Sequence, residues 1–331
     1  MHKPTMDDVA RRAGVSRALV SLALRGSPKV SERSRHSVLQ AADELGYRPN
    51  LNARNLASRR TRAVGLVVND LHNPYFAGIA DGIKRAADRL GYRLLLNSAF
   101  LDDDQESTAL DTFVDFQVDG IILAGSRSGI EVIERVAQAV PVVVASRPLM
   151  SELVDTVNND DRLGATLAVQ HLIGLGHRHI CHIDGGTGAG AQQRREGYEL
   201  TMAAHGLEPH VERGGFTEAA GVRAAEALFA AGRPCTALFG GNDLSTLGAM
   251  DVVDGLGLRV PADISLVGYD NTFVAALRHV GLTSVDQNRD RLGELAVETL
   301  VERVEHGRTA ARHHVITPTL VVRGTTARPT R

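Results

Sequence analysis

The sequence predicts an all-α helix-turn-helix head, a short hinge helix and a two-lobed α/β core built on doubly wound parallel sheets. Three observations point there. The first 46 residues read as three short helices, each ended by a glycine (Gly14, Gly26 and Gly46). From Ala63 onward, β-branched apolar runs alternate with amphipathic helical patterns, as in buried parallel sheets. Charge is split along the chain. Residues 1–62 carry 13 Lys and Arg against 5 Asp and Glu, and the remainder carries 24 against 34. A small basic segment joined to an acidic body predicts that the segment alone meets a polyanion. Arginine outnumbers lysine 34 to 3 throughout, which fits a coding bias, so weight falls on the split and not on arginine abundance.

In the head, Thr5 and Asp8 have the spacing of a capping box, which starts a helix over "MDDVARRA" that Gly14 stops. Ser16 caps the next helix, ended by Gly26, and Ser31 caps a third, "SERSRHSVLQAADELG". Val15, Val20 and Leu24 turn inward on the second helix; Arg17, Ala18, Ser21, Leu22 and Arg25 turn outward. That outward face is either the solvated side of a generic bundle or a recognition helix for the major groove. In the second case Ser16, Arg33 and Arg35 hold phosphates and set the register.

The hinge follows in "YRPNLNARNLASRRTRAVGLVV". Pro49 stops the third helix and Asn50 caps a new one over residues 51–58. Leu51, Ala53, Leu56 and Ala57 are too few apolar groups to hold that helix alone, and Arg54, Arg59, Arg60 and Arg62 surround it. It is a plain linker, or an apolar wedge for a minor groove.

The order "MDDVARRAGVSRALVSLALRG", "VSERSRHSVLQAADELGYRPN", "ARNL" and "AVGLVVNDLHNPYF" resembles the lactose/galactose-repressor family of bacterial transcription regulators, from about residue 5 to about residue 325. The resemblance implies that Arg17, Ala18, Ser21 and Leu22 contact operator bases and that Leu56 intercalates at the operator centre with Ala53 beside it. Thr5, Ser16, Arg25, Ser31, Arg33, Asn50 and Arg54 complete the expected DNA-binding set. Ala18 and Leu22 stand where many members carry polar side chains. Readout should therefore lean on thymine-methyl contacts and on Arg17.

Strand candidates in the core are "AVGLVV", "YRLLLNS", "DGIILAG", "PVVVAS", "HICHID", "TALFG" and "ISLVGYD". More than 250 residues exceed one comfortable core, so two lobes are expected with a first break near residue 160. The resemblance implies the periplasmic-binding-protein fold, with head 1–48, hinge 49–62 and core 63–331. Lobe 1 is then about 63–160 and 288–318, and lobe 2 about 161–287 and 319–331.

Ligands sit beyond the carboxyl ends of parallel strands. The residues just after the strand candidates are Asn69 and Asp70, Ser126, Ser146 and Arg147, Asp184 to Gly190, Asn242 and Asp243, and Asp270. This polar set suits a polyhydroxylated ligand gripped by forked hydrogen bonds, although Asp and Asn at such positions also cap helices. The resemblance adds Phe76 of "NPYF", Gln287 of "TSVDQN" and Phe216 as a sugar-stacking aromatic. It also places a ligand-fixing polar group among Gln192, Gln193, Arg194 and Arg195, of which Arg194 is chosen.

Other chemistries fit less well. "GGTGAG" follows a strand as a dinucleotide loop would, but the G-x-G-x-x-G spacing and a following acidic residue are missing. His177 and His179 of "GHRHICH" share one side of an extended segment, where a metal is conceivable, yet the resemblance implies a plain turn. "LDDDQE" reads as a helix start. Cys181 and Cys235 cannot build a disulfide framework and carry no Cys-x-x-Cys spacing. No catalytic arrangement, cofactor or metal is expected. No apolar run spans a membrane, and the amino terminus lacks a secretory signal, so a cytoplasmic, nucleoid-associated protein is expected.

The expectation is a homodimeric repressor binding a pseudo-palindromic operator, tuned by a sugar or similar effector between the lobes. No heptad repeat follows "TPTLVVRGTTARP", which argues against a coiled-coil tetramer. The rival readings are a solute-binding protein without a regulatory role and a nucleotide-binding α/β enzyme.

Overall fold

Local capping chemistry determines where the first helices begin and end. In the computed structural model, which describes residues 4–24, 26–47, 60–232 and 235–330, α1 (Met6–Ala13) opens on a complete Thr5–Asp8 capping box. It closes on Gly14 in the left-handed region at φ 68°, where a side chain would be strained. α2 (Arg17–Leu24) starts after Ser16, whose Oγ accepts the Leu19 amide at 3.2 Å. α3 (Glu32–Glu44) starts at Ser31, whose Oγ accepts the Ser34 amide. Val9, Val20, Val38, Ala41 and Ala42 form the centre of this small core, with Val15, Leu22 and Leu24 packed at its margin. The expected hinge helix, with Asn50, Ala53, Arg54 and Leu56, lies outside the described residues, as does Arg25.

The chain divides into two units, Met1–Thr61 and Arg62–Arg331. The second contains two six-stranded sheets. In sheet order, the first is β11 (His313–Ile316), β5 (Asp155–Asn159), β4 (Val142–Ala145), β3 (Gly120–Ala124), β1 (Ala63–Val68) and β2 (Arg93–Ser98), all parallel. The second is β12 (Thr319–Val321), β10 (Thr283–Asp286), β9 (Ser265–Tyr269), β8 (Ala237–Gly240), β6 (Ile180–Ile183) and β7 (His210–Glu212). Only β12 runs antiparallel to its neighbour.

Helices cover both faces of each sheet. α4 (Pro74–Arg89) and α11 (Arg289–His306) bury Ile79, Ile83, Leu292 and Leu300 on one face of the first sheet. α5 (Asp103–Asp115) and α6 (Ile130–Ala137) bury Leu110, Phe113 and Ile133 on the other. In the second, α7 (Asp161–Leu175) and α8 (Ala191–Ala204) pack Leu172, Tyr198 and Met202 inward. α9 (Glu218–Ala230) and α10 (Asp243–Gly255) pack Leu228, Ala249 and Val253 on its opposite face. The chain passes between the sheets after β5, after β10 and after β11.

All seven strand candidates are strands, and the described residues form five more. β5 reads "DTVNN" and is too polar to stand out; β7, β10, β11 and β12 are three or four residues long. One candidate departs from the buried-strand expectation. β2 is an edge strand, and its Leu95 and Leu96 are 38% and 46% exposed. No described helix is long and apolar enough to cross a membrane.

Candidate functional site

On the head, Arg17 and Ala18 are exposed while Ser21 and Leu22 are half-buried, so α2 presents a graded face. Several hydroxyls of the expected DNA-binding set already have work. Thr5 Oγ1 donates to Asp8 at 2.7 Å and Ser31 Oγ donates to Ser34 Oγ at 2.9 Å. Ser16 Oγ acts as an acceptor for its helix, which leaves its proton to donate. Arg33 is exposed, whereas Arg35 Nη2 donates to the Ser27 carbonyl at 2.8 Å and so holds the turn before α3.

The core has a cavity of about 240 Å³ at the carboxyl ends of the strands, between the two sheets. Of the residues proposed from sequence, Asn69, Asp70, Phe76, Ser146, Arg194, Phe216, Asn242, Asp270 and Gln287 line it with loop residues 185–189, whereas Arg147, Asp184, Gly190 and Asp243 do not. Nor does Ser126. Its hydroxyl is buried and donates to Glu106, and Arg147 Nη1 grips its carbonyl at 3.2 Å, so the side chain is committed to the α5 side of the sheet.

At the floor of the cavity lies an arginine among carboxylates. Arg194 faces inward because it shares the buried side of α8 with Ala191, Gly197 and Tyr198; Gln192 and Arg195 are exposed. Its Nε donates to Asp161 Oδ1 at 2.8 Å and its Nη1 to the Gly241 carbonyl at 2.7 Å. The guanidinium carbon lies 3.8 Å from the Tyr269 ring centroid and 5.1 Å from that of Phe216. Burial opposes its charge, but Asp161, Tyr269 and Asp270 outweigh that and hold its pKa above the usual arginine value.

Asp270 lies 3.7 Å from Arg194 and is pushed up to about 8, chiefly by burial. Its neighbour Asp243, also raised by burial, is satisfied by Thr272 and Ser284 and serves the fold. Asp270 accepts from Gln287 Nε2, Gln287 Oε1 accepts from Tyr75 Oη at 2.8 Å, and Ser146 Oγ donates to Tyr75 at 2.6 Å. A hydrogen-bonded chain thus links the two sheets across the cavity floor. Asn69 Oδ1, by contrast, is buried without a partner in the cavity wall, an acceptor left for a ligand.

The glycine-rich loop serves Phe216. A Cβ on Gly185 or Gly188 would stand 2.2 or 2.4 Å from its ring, so only glycine lets the ring lie against the loop. On the opposite side, Gly125, at φ 70°, leaves the same room for Phe76. Asn242 lines the cavity but also caps α10, accepting the Ser245 amide at 2.9 Å and donating to the Phe216 carbonyl at 3.1 Å. The nucleotide reading of the loop thus gives way to a seat for an aromatic ring. Likewise, both ring nitrogens of His177 are engaged, by Thr236, Ser265 and the Ala327 carbonyl, which leaves none for a metal.

Sequence reasoning missed Tyr75, Asn159, Asp161 and Tyr269. Tyr75 was visible inside "NPYF" and Asp161 just after a polar strand that the apolar-run criterion passes over. Asn159 Nδ2 donates to Tyr269 Oη at 3.0 Å and to Asp161 Oδ1 at 3.2 Å, which closes the cluster.

Comparison with known proteins agrees with this geometry. The family pattern described as "Periplasmic binding proteins and sugar binding domain of LacI family" matches residues 61–324, and "Bacterial regulatory proteins, lacI family" matches residues 5–50. Catabolite control protein A of Priestia megaterium is 34% identical over 304 residues, covering 90% of this chain and 92% of that protein. The ribose operon repressor of Haemophilus influenzae is 33% identical over 323 residues, covering 96% and 97%. Among solved structures, the lac repressor dimer bound to operator and the anti-inducer ONPF is 28% identical with a TM-score of 0.85, covering 98% of this chain and all of that one. The CelR–cellobiose complex is 32% identical with a TM-score of 0.74, covering 97% and 99%. The ribose operon repressor and three further relatives, 32–33% identical, are named as repressors or transcriptional regulators, and none of these names is that of an enzyme. The chain belongs to the LacI family and is a ligand-responsive, DNA-binding transcription regulator.

Proposed function

We propose that the protein is a cytoplasmic, homodimeric repressor whose paired heads bind a pseudo-palindromic operator and whose cavity takes a sugar. The observation that carries the effector reading is the cavity's wall chemistry. Phe76 and Phe216 offer aromatic rings, while Asn69, Asp161 and Asp270 offer acceptors and Arg194 a buried cation. That combination suits a polyhydroxylated ring, whose faces stack and whose hydroxyls both give and accept. Relatives named for ribose and crystallised with cellobiose support the same class.

The dimer reading is supported by the apolar surface of the β2 edge, where Leu95 and Leu96, with Phe100 just after the strand, are 38%, 46% and 53% exposed in the single chain. The heads, residues 1–48, read bases through Arg17, Ala18, Ser21 and Leu22, with Arg25 beside them at the DNA. Ser16 and Arg33 hold phosphates, with Thr5 and Ser31 also at the DNA. Residues 49–62 then act as a hinge that orders on DNA, with Asn50, Ala53 and Arg54 at the minor groove and Leu56 as the wedge. Sugar in the cavity biases the closure of the lobes, divided near residues 160, 288 and 318, and so biases hinge order. Couplings of this kind run to about 1–3 kcal/mol.

A thermal-shift screen against free sugars, followed by footprinting with and without each hit, tests the reading. We expect at least one sugar to raise the melting temperature and to change operator occupancy. Absence of duplex binding at every salt concentration would falsify the repressor reading. Stabilisation by nucleotides alone would overturn the sugar reading.

A further inference from the structure

Arg17 is the first residue of α2, where the unpaired amides of a helix start carry a positive partial charge that disfavours a cation. It has a partner across the turn. Its Nη1 lies 3.6 Å from Oδ2 of Asp7, in the first turn of α1. Asp7 takes no part in the capping box of the helix it sits on. The capping box uses Thr5 and Asp8, and Asp8 also takes Arg11 at 3.3 Å. With side chains 68% and 59% exposed, the Asp7–Arg17 pair adds little to the stability of the head. Its value lies in what it does to the direction of one guanidinium.

That direction matters because α2 has little else to read with. Ala18, Ser21 and Leu22 contain no forked donor, so among the four α2 residues proposed to read bases Arg17 alone can address the O6 and N7 of a guanine together. Bidentate pairing needs the guanidinium plane held in the plane of the base. An unrestrained arginine on a basic head has a competing option in the nearest phosphate, which carries no sequence information. A carboxylate that engages one edge of the guanidinium leaves the other edge for the base. It is also itself repelled by the phosphates.

We propose that Asp7 is a positioning residue for base readout: it aims Arg17 at a guanine and trades non-specific affinity for discrimination. This rests on α2 being the reading helix.

The test selects duplexes from a randomised pool with the full-length protein and its D7N, D7E and R17A variants, each checked for an unchanged melting temperature. Wild type is expected to select a guanine at one position of each half-site, and R17A to lose that preference. D7N should lower the guanine preference at that position at least fivefold, leave the other positions alone and bind random duplex more tightly. D7E should restore the preference. A guanine preference in D7N within twofold of wild type, or a loss spread evenly over the whole site, overturns the role of Asp7. Unchanged selection by R17A instead overturns the readout by α2 on which it depends.

Discussion

Arg194 donates through Nε to Asp161 Oδ1 at 2.8 Å, with the two side chains 6% and 8% exposed. The pair forms the floor of the cavity, and neither member has water to fall back on. Removing one partner of a buried pair strands the other as an uncompensated charge. Asp161→Ala is therefore expected to cost about 3 kcal/mol of stability. Urea unfolding measures it. A loss below about 0.5 kcal/mol, as for an exposed pair, would show that the guanidinium finds other company.

Asp270 supplies a pH dependence whose sign is determined by its burial. Its carboxyl titrates near 8 in the folded protein, against about 3.9 in an unfolded chain. The folded state thus holds the proton more tightly, and this group's contribution to stability is full below pH 4 and is lost as pH rises toward 8. Asp270→Asn, which is neutral throughout, should flatten that part of the profile. Unfolding free energies of wild type and variant at pH 5, 6.5 and 8 would run parallel if Asp270 were an ordinary carboxylate.

The loop glycines make a steric prediction. A methyl group at Gly188 would stand 2.4 Å from the Phe216 ring, and the ring would have to leave its seat. Gly188→Ala is expected to lose about 1–3 kcal/mol of stability, as overpacking does. It should also abolish the thermal shift of any sugar that stabilises wild type. Retention of that shift would mean that the ring does not stack on ligand.

Leu96, 46% exposed on β2, should matter only between copies of the chain. Leu96→Asp is expected to give a folded monomer with an unchanged far-ultraviolet spectrum, seen as a halved mass in sedimentation equilibrium. A dimer of wild-type affinity would move the interface elsewhere.

Salt offers a test of the head as a whole. Operator affinity should fall steeply between about 50 and 200 mM salt, by 10³-fold or more if six or more phosphates are neutralised. A flat response would mean that the basic charge of residues 1–62 is not spent on phosphates.

Much of the molecule was legible in its sequence, because the signals there are local. Thr5, Ser16 and Ser31 satisfy amides no more than three residues away. The long apolar strands announce burial by composition, and the polar residues just beyond them fall at the cavity by the geometry of parallel sheets. What tertiary structure decided are the meetings of distant residues. "DTVNN" is a strand because β4 and β11 flank it, and Asp161 is a site residue because α8 brings Arg194 to it. "GGTGAG" carries no hint that Phe216 needs the room, and "YRLLLNS" none that Leu95 and Leu96 are exposed on an edge. Propensity and capping act over a few residues of chain. Burial, ion pairing and ring seating depend on neighbours that only the folded arrangement supplies.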